Sequence, residues 1–372
     1  VRLALLALLV AVAIAAPASA ANAGAVGATV PVPGEPFASV STHDGSVLFV
    51  SISVPGGRGG VVVFRTAPAG LERIGFVGLR TSEAFGMALL ADDSVLLVAD
   101  GAGVALIDAA AARSGARTEP VYVDDGQHAG TIEVIATPDG RTAFAADEDL
   151  AQVSVLRLQR QPSGALGAVR TGGIAVDRAP VGLALSPDGA TLYVTSEIGL
   201  RGGETADAAG QLSRACGRAT NGTLTAIDVG RATVAAHLAA GCSPVRVAVT
   251  ADGATVWVSV RGDDRVIAFD AAKIRSDATH ALVAQARVGS APVGIALLAH
   301  DTLLAVANSD RFNRGSSAST ASVLQLGSTI SPRSGFATGA FPREFSVSPD
   351  GAVLYLTNFR SRTVEVIDVK RL

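Results

Sequence analysis

Aromatic residues and lysine are scarce in this chain. Phe, Tyr and Trp make up 4% of it, Trp257 is the sole tryptophan, and lysine occurs only at Lys273 and Lys370. Nucleic-acid binding draws on a basic field and on stacking platforms, and a formal net charge of −3 with a pI near 6.0 supplies neither. Two cysteines and five scattered histidines offer too few ligands for a zinc site. No Gly-x-Ser-x-Gly elbow, phosphate loop or His-Glu-x-x-His pair occurs, so nucleophilic-hydrolase and metalloprotease readings lose support. What is present is apolar surface: 49% of the 372 residues are hydrophobic and 17% charged, with 41 Gly and 16 Pro. That composition builds a packed core and does not describe a disordered chain.

The start of the chain reads as an address. Arg2 precedes an apolar run from Leu3 to Ala16, Pro17 breaks it, and Ala18-Ser19-Ala20 supplies a small-x-small cleavage site. The run is shorter than the roughly 20 residues that span a bilayer. Residues 1–20 are therefore expected to be a signal peptide and 21–372 an exported domain, periplasmic or extracellular, with no membrane span after cleavage. Export exposes thiols to an oxidising compartment, which predicts a disulfide between Cys216 and Cys242.

Internal repetition dominates the rest. An Asp-Gly turn or a close variant recurs at Asp44-Gly45, Asp92-Asp93, Asp139-Gly140, Asp188-Gly189, Asp252-Gly253, His300-Asp301 and Asp350-Gly351, with a period of about 48 residues. One interval is longer by about 15 residues, and the excess lies at 198–221, an insertion in the fourth repeat. Each turn separates two apolar strands. A third strand follows, ending in Asp, as in Val104 to Asp108 and Val266 to Asp270, and then a weaker fourth, such as Leu282 to Val288. Four strands per repeat with no amphipathic helix between them predict an all-β fold, a seven-bladed β-propeller with four-stranded antiparallel blades. The last repeat runs out after its third strand, so residues 25–32 are expected to close the ring as an N-terminal strand in the final blade.

The segments Ser186-Pro187-Asp188-Gly189-Ala190-Thr191-Leu192-Tyr193-Val194-Thr195 and Ser348-Pro349-Asp350-Gly351-Ala352-Val353-Leu354-Tyr355-Leu356-Thr357-Asn358 resemble the YVTN-type repeat of YncE-like and lactonase-like seven-bladed propellers. The resemblance covers nearly the whole chain after residue 20. It departs from the ideal at Ala91-Asp92-Asp93, Ala143-Phe144 and Ala299-His300-Asp301. It implies the fold strongly and leaves function open, because the family holds surface and periplasmic proteins beside lactone-hydrolysing or lactonising enzymes. The single tryptophan sets the chain apart from quinone-dependent dehydrogenase propellers.

Aligned repeats locate a candidate site. At the start of the inner strands the seven repeats read Pro36, Ala84, Thr131, Pro180, Pro244, Pro292 and Pro342. Two residues on, Ala38, Gly86, Gly182 and Gly294 are small, whereas Glu133, Arg246 and Glu344 are charged. Between these positions Arg343 breaks the apolar series Phe37, Phe85, Ile132, Val181, Val245 and Val293. An unpaired buried charge costs several kcal/mol, so these groups are expected to face water, pair with one another as a plug, or meet a ligand. Loops on the same face add further polar groups, Glu148, Arg311 and Arg360 among them, most of them expected to be solvated turn residues, and of these loops Glu197, Arg261, Asn308 and Asn358 are the ligand-binding candidates. The disulfide would pin the insertion over this mouth.

Two functions follow. One is a binding or scaffold protein, a monomer that holds a small-molecule or protein ligand at the mouth. The other is a lactonase-like hydrolase with Glu133 or Glu344 as general base, Arg246 and Arg343 stabilising an oxyanion, and His128 assisting. An acidic cluster helped by Asn308 or Asn358 could also hold a divalent cation such as Ca²⁺, as in gluconolactonase-like propellers. Their residue pattern is not matched, and no metal ligands are assigned.

Overall fold

The computed structural model describes residues 24–67, 70–126, 128–160, 166–199, 216, 221–312 and 319–372. The expected leader at 1–20 lies outside these residues, as does most of the 198–221 insertion. Strand patterning sets the layers. Second strands such as Val47–Ser53 and Leu303–Asn308 are mostly apolar and buried along their whole length, as expected for strands sandwiched between neighbouring sheets. The outer strand Val26–Pro31 instead alternates half-buried and exposed positions. The outcome is seven four-stranded antiparallel sheets, numbered here as blades one to seven along the chain. Their inner strands are Glu35–Ser41, Met87–Leu89, Thr131–Ala136, Arg178–Leu185, Pro244–Val249, Pro292–Leu298 and Pro342–Val347.

Ring closure follows the expected scheme. Val26–Pro31 pairs antiparallel with Thr363–Asp368, in the register Val30 to Val364, so the last sheet takes one strand from the beginning of the chain and three from its end. The disulfide between Cys216 and Cys242 is formed, with Cα atoms 5.5 Å apart. The Asp that ends the third strand in blades two and five turns out to be a helix cap. Asp108 accepts from Ala111 N at 2.9 Å and Asp270 from Lys273 N at 3.0 Å, starting the short helices Ala109–Arg113 and Ala271–Ser276. The repeat pattern did not predict these helices, which are too short to show a periodicity. No helix among the described residues is long and apolar enough to cross a membrane.

Two seams lock blade to blade. Near the channel, hydroxyls at the fifth position of second strands donate to the next blade's inner strand: Ser51 to Phe85 O at 2.6 Å, and Thr195 to Val245 O, Ser259 to Val293 O and Thr357 to Phe37 O, each at 2.7 Å. Blades two, three and six carry Ala99, Ala146 and Ala307 there. On the opposite face, turn prolines rest on turn glycines, as Pro138 does on Gly189 and Pro187 on Gly253. Where Asp93 and Asp301 replace that glycine, the facing residue is not proline, and its free N–H bonds the carboxylate: His43 N to Asp93 Oδ2 at 3.1 Å and Ala251 N to Asp301 Oδ2 at 2.6 Å. The departures from the repeat are thus matched across the seam.

Candidate functional site

Six of the seven inner strands carry a bulge near their start, all but Met87–Leu89. Pairing slips between Pro36 and Ser39, between Pro244 and Val247, and between Pro342 and Phe345, so the two residues between are released from the ladder. The seam hydroxyls hold the bulge open by accepting the freed N–H groups: Ala38 N to Ser51 Oγ at 3.0 Å, Arg246 N to Ser259 Oγ at 3.0 Å, and Glu344 N to Thr357 Oγ1 at 3.1 Å. Bulges of this kind re-aim side chains, and here they direct two layers into the channel. The first layer is an apolar collar in which Val181, Val245 and Val293 pack with Ile132, and Phe37 meets Phe85 edge-on at 5.2 Å. Arg343 interrupts the collar, its guanidinium 4.0 Å from the Phe37 ring centre.

One residue deeper lies the charged layer. Arg246, 5% exposed, donates from Nε to Glu344 Oε2 at 2.7 Å, places Nη2 3.3 Å from Glu133 Oε2, and donates from Nη1 to Val181 O. The small residues of this layer make room for it. A Cβ at Gly86 would lie 2.1 Å from Glu133 Oε1, and one at Gly182 would lie 2.3 Å from Val245 O. Burial pushes the Glu133 carboxyl well above its ordinary value, and Arg246 offsets this only in part. Burial works against the Arg246 charge as well, yet Glu344 and Glu133 together hold its proton more tightly than usual. Arg343 has no such partners: burial, then the neighbouring charges of Arg246, Arg311 and Arg261, pull it down to about 9 despite Glu344.

Above the collar the loops form the mouth. Arg261 closes an ion pair with Glu197 through Nη2. Phe341 lies 5.7 Å from Phe359 and gathers three guanidinium groups, Arg360 at 4.9 Å, Arg311 at 5.8 Å and Arg343 at 5.9 Å from its ring centre. None of these three arginines has a carboxylate within salt-bridge distance among the described residues. Glu148, half-buried, is raised by burial and by the like charges of Glu197 and Asp149.

Glu133, Arg246, Glu344 and Arg343 therefore converge, with Glu197 and Arg261 above them. Asn308 and Asn358 do not join them. Asn308 is buried and donates to Thr320 Oγ1 and Ser322 Oγ, and Asn358 is buried and donates to Thr363 Oγ1, each within its own blade. His128 is exposed, with a left-handed φ of 59°, and bonds to none of the central groups. Among the described residues no group of three or more His, Cys, Asp or Glu side chains is placed to hold a metal ion.

Sequence reasoning missed the aromatic platform. Phe341 occupies the residue before the inner-strand proline, where Ala179, Ser243 and Ala291 share its left-handed backbone, with φ between 52° and 58°. A bulky residue in that region is strained, and such strain gathers at functional sites. An aromatic where Gly130, Ala179, Ser243 and Ala291 are small and Glu35 and Glu83 are acidic was the available signal.

The comparisons with known proteins bear on this geometry. The model of the lactonase family, described as a 7-bladed beta-propeller, matches residues 36–313. The chain belongs to that family. No curated protein matches the sequence. Among solved structures, a chain of Kuenenia stuttgartiensis hydrazine synthase superposes with a TM-score of 0.67 at 18% identity, covering 91% of this chain and 96% of that one. A chain of a mitotic checkpoint complex gives 0.68 at 14% identity, covering 98% and 99%. The propeller domain of Cps50 (Swd1) from Myceliophteria thermophila gives 0.64 at 13% identity, covering 92% and 99%. At these identities the likeness is one of fold alone.

Proposed function

We propose that this lactonase-family propeller is an exported binding protein that holds a small anionic ligand at its channel mouth. The observation that carries the reading is the set of three guanidinium groups around Phe341 with no carboxylate partner. Like charges repel, and gathering them on one ring is unfavourable unless an anion is received there. Phe37 and Phe359 provide further faces that hold Arg343 in place without neutralising it. Export is supported by the disulfide. Calorimetric titration of the purified protein with small carboxylates and inorganic phosphate at low ionic strength tests the reading. Saturable binding weakened by salt and by Arg343→Leu is expected, and binding unaffected by that substitution would remove the proposed site.

Lactone hydrolysis is the second reading, favoured by the family and by Glu133. Arg246 takes up Glu344 at 2.7 Å, which leaves Glu133, with its raised carboxyl, as the better general base. Water would lose a proton to Glu133 as its oxygen attacks the lactone carbonyl, and Arg343 would stabilise the oxyanion before the ring C–O bond breaks and the leaving alkoxide regains a proton. A screen of lactones with and without Ca²⁺ decides it. Hydrolysis abolished by Glu133→Gln supports this reading, and full activity in that variant withdraws the base.

A further inference from the structure

The mouth contains opposite charges that have not closed into contact. On the wall made by blades six and seven, Arg311, Arg343 and Arg360 surround Phe341. On the wall made by blade three, Glu148 has no cation within ion-pairing distance among the described residues. The two walls line one mouth: Glu148, Arg311 and Arg360 each lie in the loop that follows the second strand of their blade, after Thr142–Asp147, Leu303–Asn308 and Val353–Asn358, and Arg311 and Glu148 are near enough to feel each other's charge. Wherever this scaffold allows contact, opposite charges meet: Arg261 with Glu197, and Arg246 with Glu344. No ion pair joins Glu148 and Arg343 among the described residues, and each has a support of its own. The backbone of Glu148 is tied to Gly130 O at 3.1 Å, and the Arg343 guanidinium rests on Phe37 at 4.0 Å.

Separated opposite charges in a partly desolvated cleft form a fixed dipole. A plain anion gains from the arginine wall and is repelled by the acidic one, whereas a ligand with charges of both signs gains from each. We infer that the ligand is a small zwitterion, its anionic group against Arg343 and Arg360 and its ammonium group against Glu148. This rests on the anion-binding reading above and narrows it to one chemical class.

Calorimetric titration with matched probes separates the two ideas: γ-aminobutyrate against butyrate and butylamine, and ε-aminocaproate against caproate. The amino acids are expected to bind about tenfold or more tightly than the acids of equal chain length, a difference of about 1.4 kcal/mol. Glu148→Gln should erase that preference while keeping the binding of butyrate or caproate, and Arg343→Leu should weaken every probe that carries a carboxylate. If the plain acids bind as tightly as their amino counterparts, the zwitterion inference fails and the anion reading stands. Preference that survives Glu148→Gln also overturns the inference. If neither class binds, both ideas fall. Thermal unfolding of each variant confirms that the fold is intact.

Discussion

Arg246 and Arg343 stand in adjacent layers of one channel and have opposite fates. Arg246 is enclosed by Glu133, Glu344 and the Val181 carbonyl. Arg343, one layer nearer the mouth, is held by three aromatic rings and no carboxylate. A deviation from the repeat therefore has two physical meanings. Where acidic partners sit on other blades at the same depth, the charge plugs the channel and ties blades three, five and seven together. Where no partner exists, the charge stays unneutralised, which is what the anion-binding proposal rests on.

The largest effect is expected at the plug. Arg246→Met leaves Glu133 and Glu344 buried without a cation, and breaking a buried pair this way costs about 3–5 kcal/mol. Urea unfolding measures it. Neutralising all three positions, in E133Q/R246M/E344Q, should recover most of the loss. A cost below about 1 kcal/mol for Arg246→Met would mean that the contacts are not structural.

Asp125 is the acidic counterpart of Arg343. Its side chain is fully buried and lies 3.6 Å from Arg170 Nε, and burial followed by the charge of Asp147 raises it to about 7. A carboxyl raised in the folded state binds more protons there than in the unfolded chain. Its contribution is fully present below the unfolded value near 3.8 and is lost as pH rises through about 7. The Asp-Gly turns on the opposite face behave inversely. Asp139, Asp188 and Asp350 are lowered by Ser or Thr hydroxyls, so their contribution is present above the ordinary carboxylate range and lost as pH falls. Stability from these groups should therefore peak near the ordinary carboxylate range, at about pH 4, and fall as pH rises toward 7. Asp125→Asn should flatten the decline above that peak, by on the order of 2–4 kcal/mol at pH 8. An unchanged slope between pH 5 and 8 would show that Asp125 is ionised throughout.

Fold and site were legible to different depths. The seven blades and the closing strand could be read because turn chemistry recurs at every repeat, and a fixed period survives substitutions such as Asp93 and Asp301. Glu133, Arg246, Glu344 and Arg343 could be read because alignment exposes a charge where its neighbours are small or apolar. Their pairing into a plug was one of three expected outcomes and is the one found for Arg246, although Arg246 and Glu344 are 98 residues apart in the chain. Asn308 and Asn358 misled because they end second strands, one layer out from the channel. Strand alternation turns them toward their own third strand, as their bonds to Thr320 and Thr363 show. Phe341 was missed because the repeats were aligned from the residue after it, although an aromatic at that position stands out against Gly130, Ala179, Ser243 and Ala291.

The smallest expected change in stability carries the most information about function. Arg343→Leu removes a guanidinium that has no carboxylate to strand, and it restores the apolar character of the collar formed by Val181, Val245, Val293 and Ile132. Each aromatic face that the guanidinium covers is worth about 0.5–1 kcal/mol, and relief from the positive charges of Arg246 and Arg311 acts in the other direction. The net change should lie within about 1 kcal/mol, measured by urea unfolding, while affinity for a carboxylate probe collapses. Loss of binding without loss of stability is the signature of a group kept for a ligand. If Arg343→Leu instead costs as much as Arg246→Met, the two arginines serve the same structural end, and the mouth is an extension of the plug.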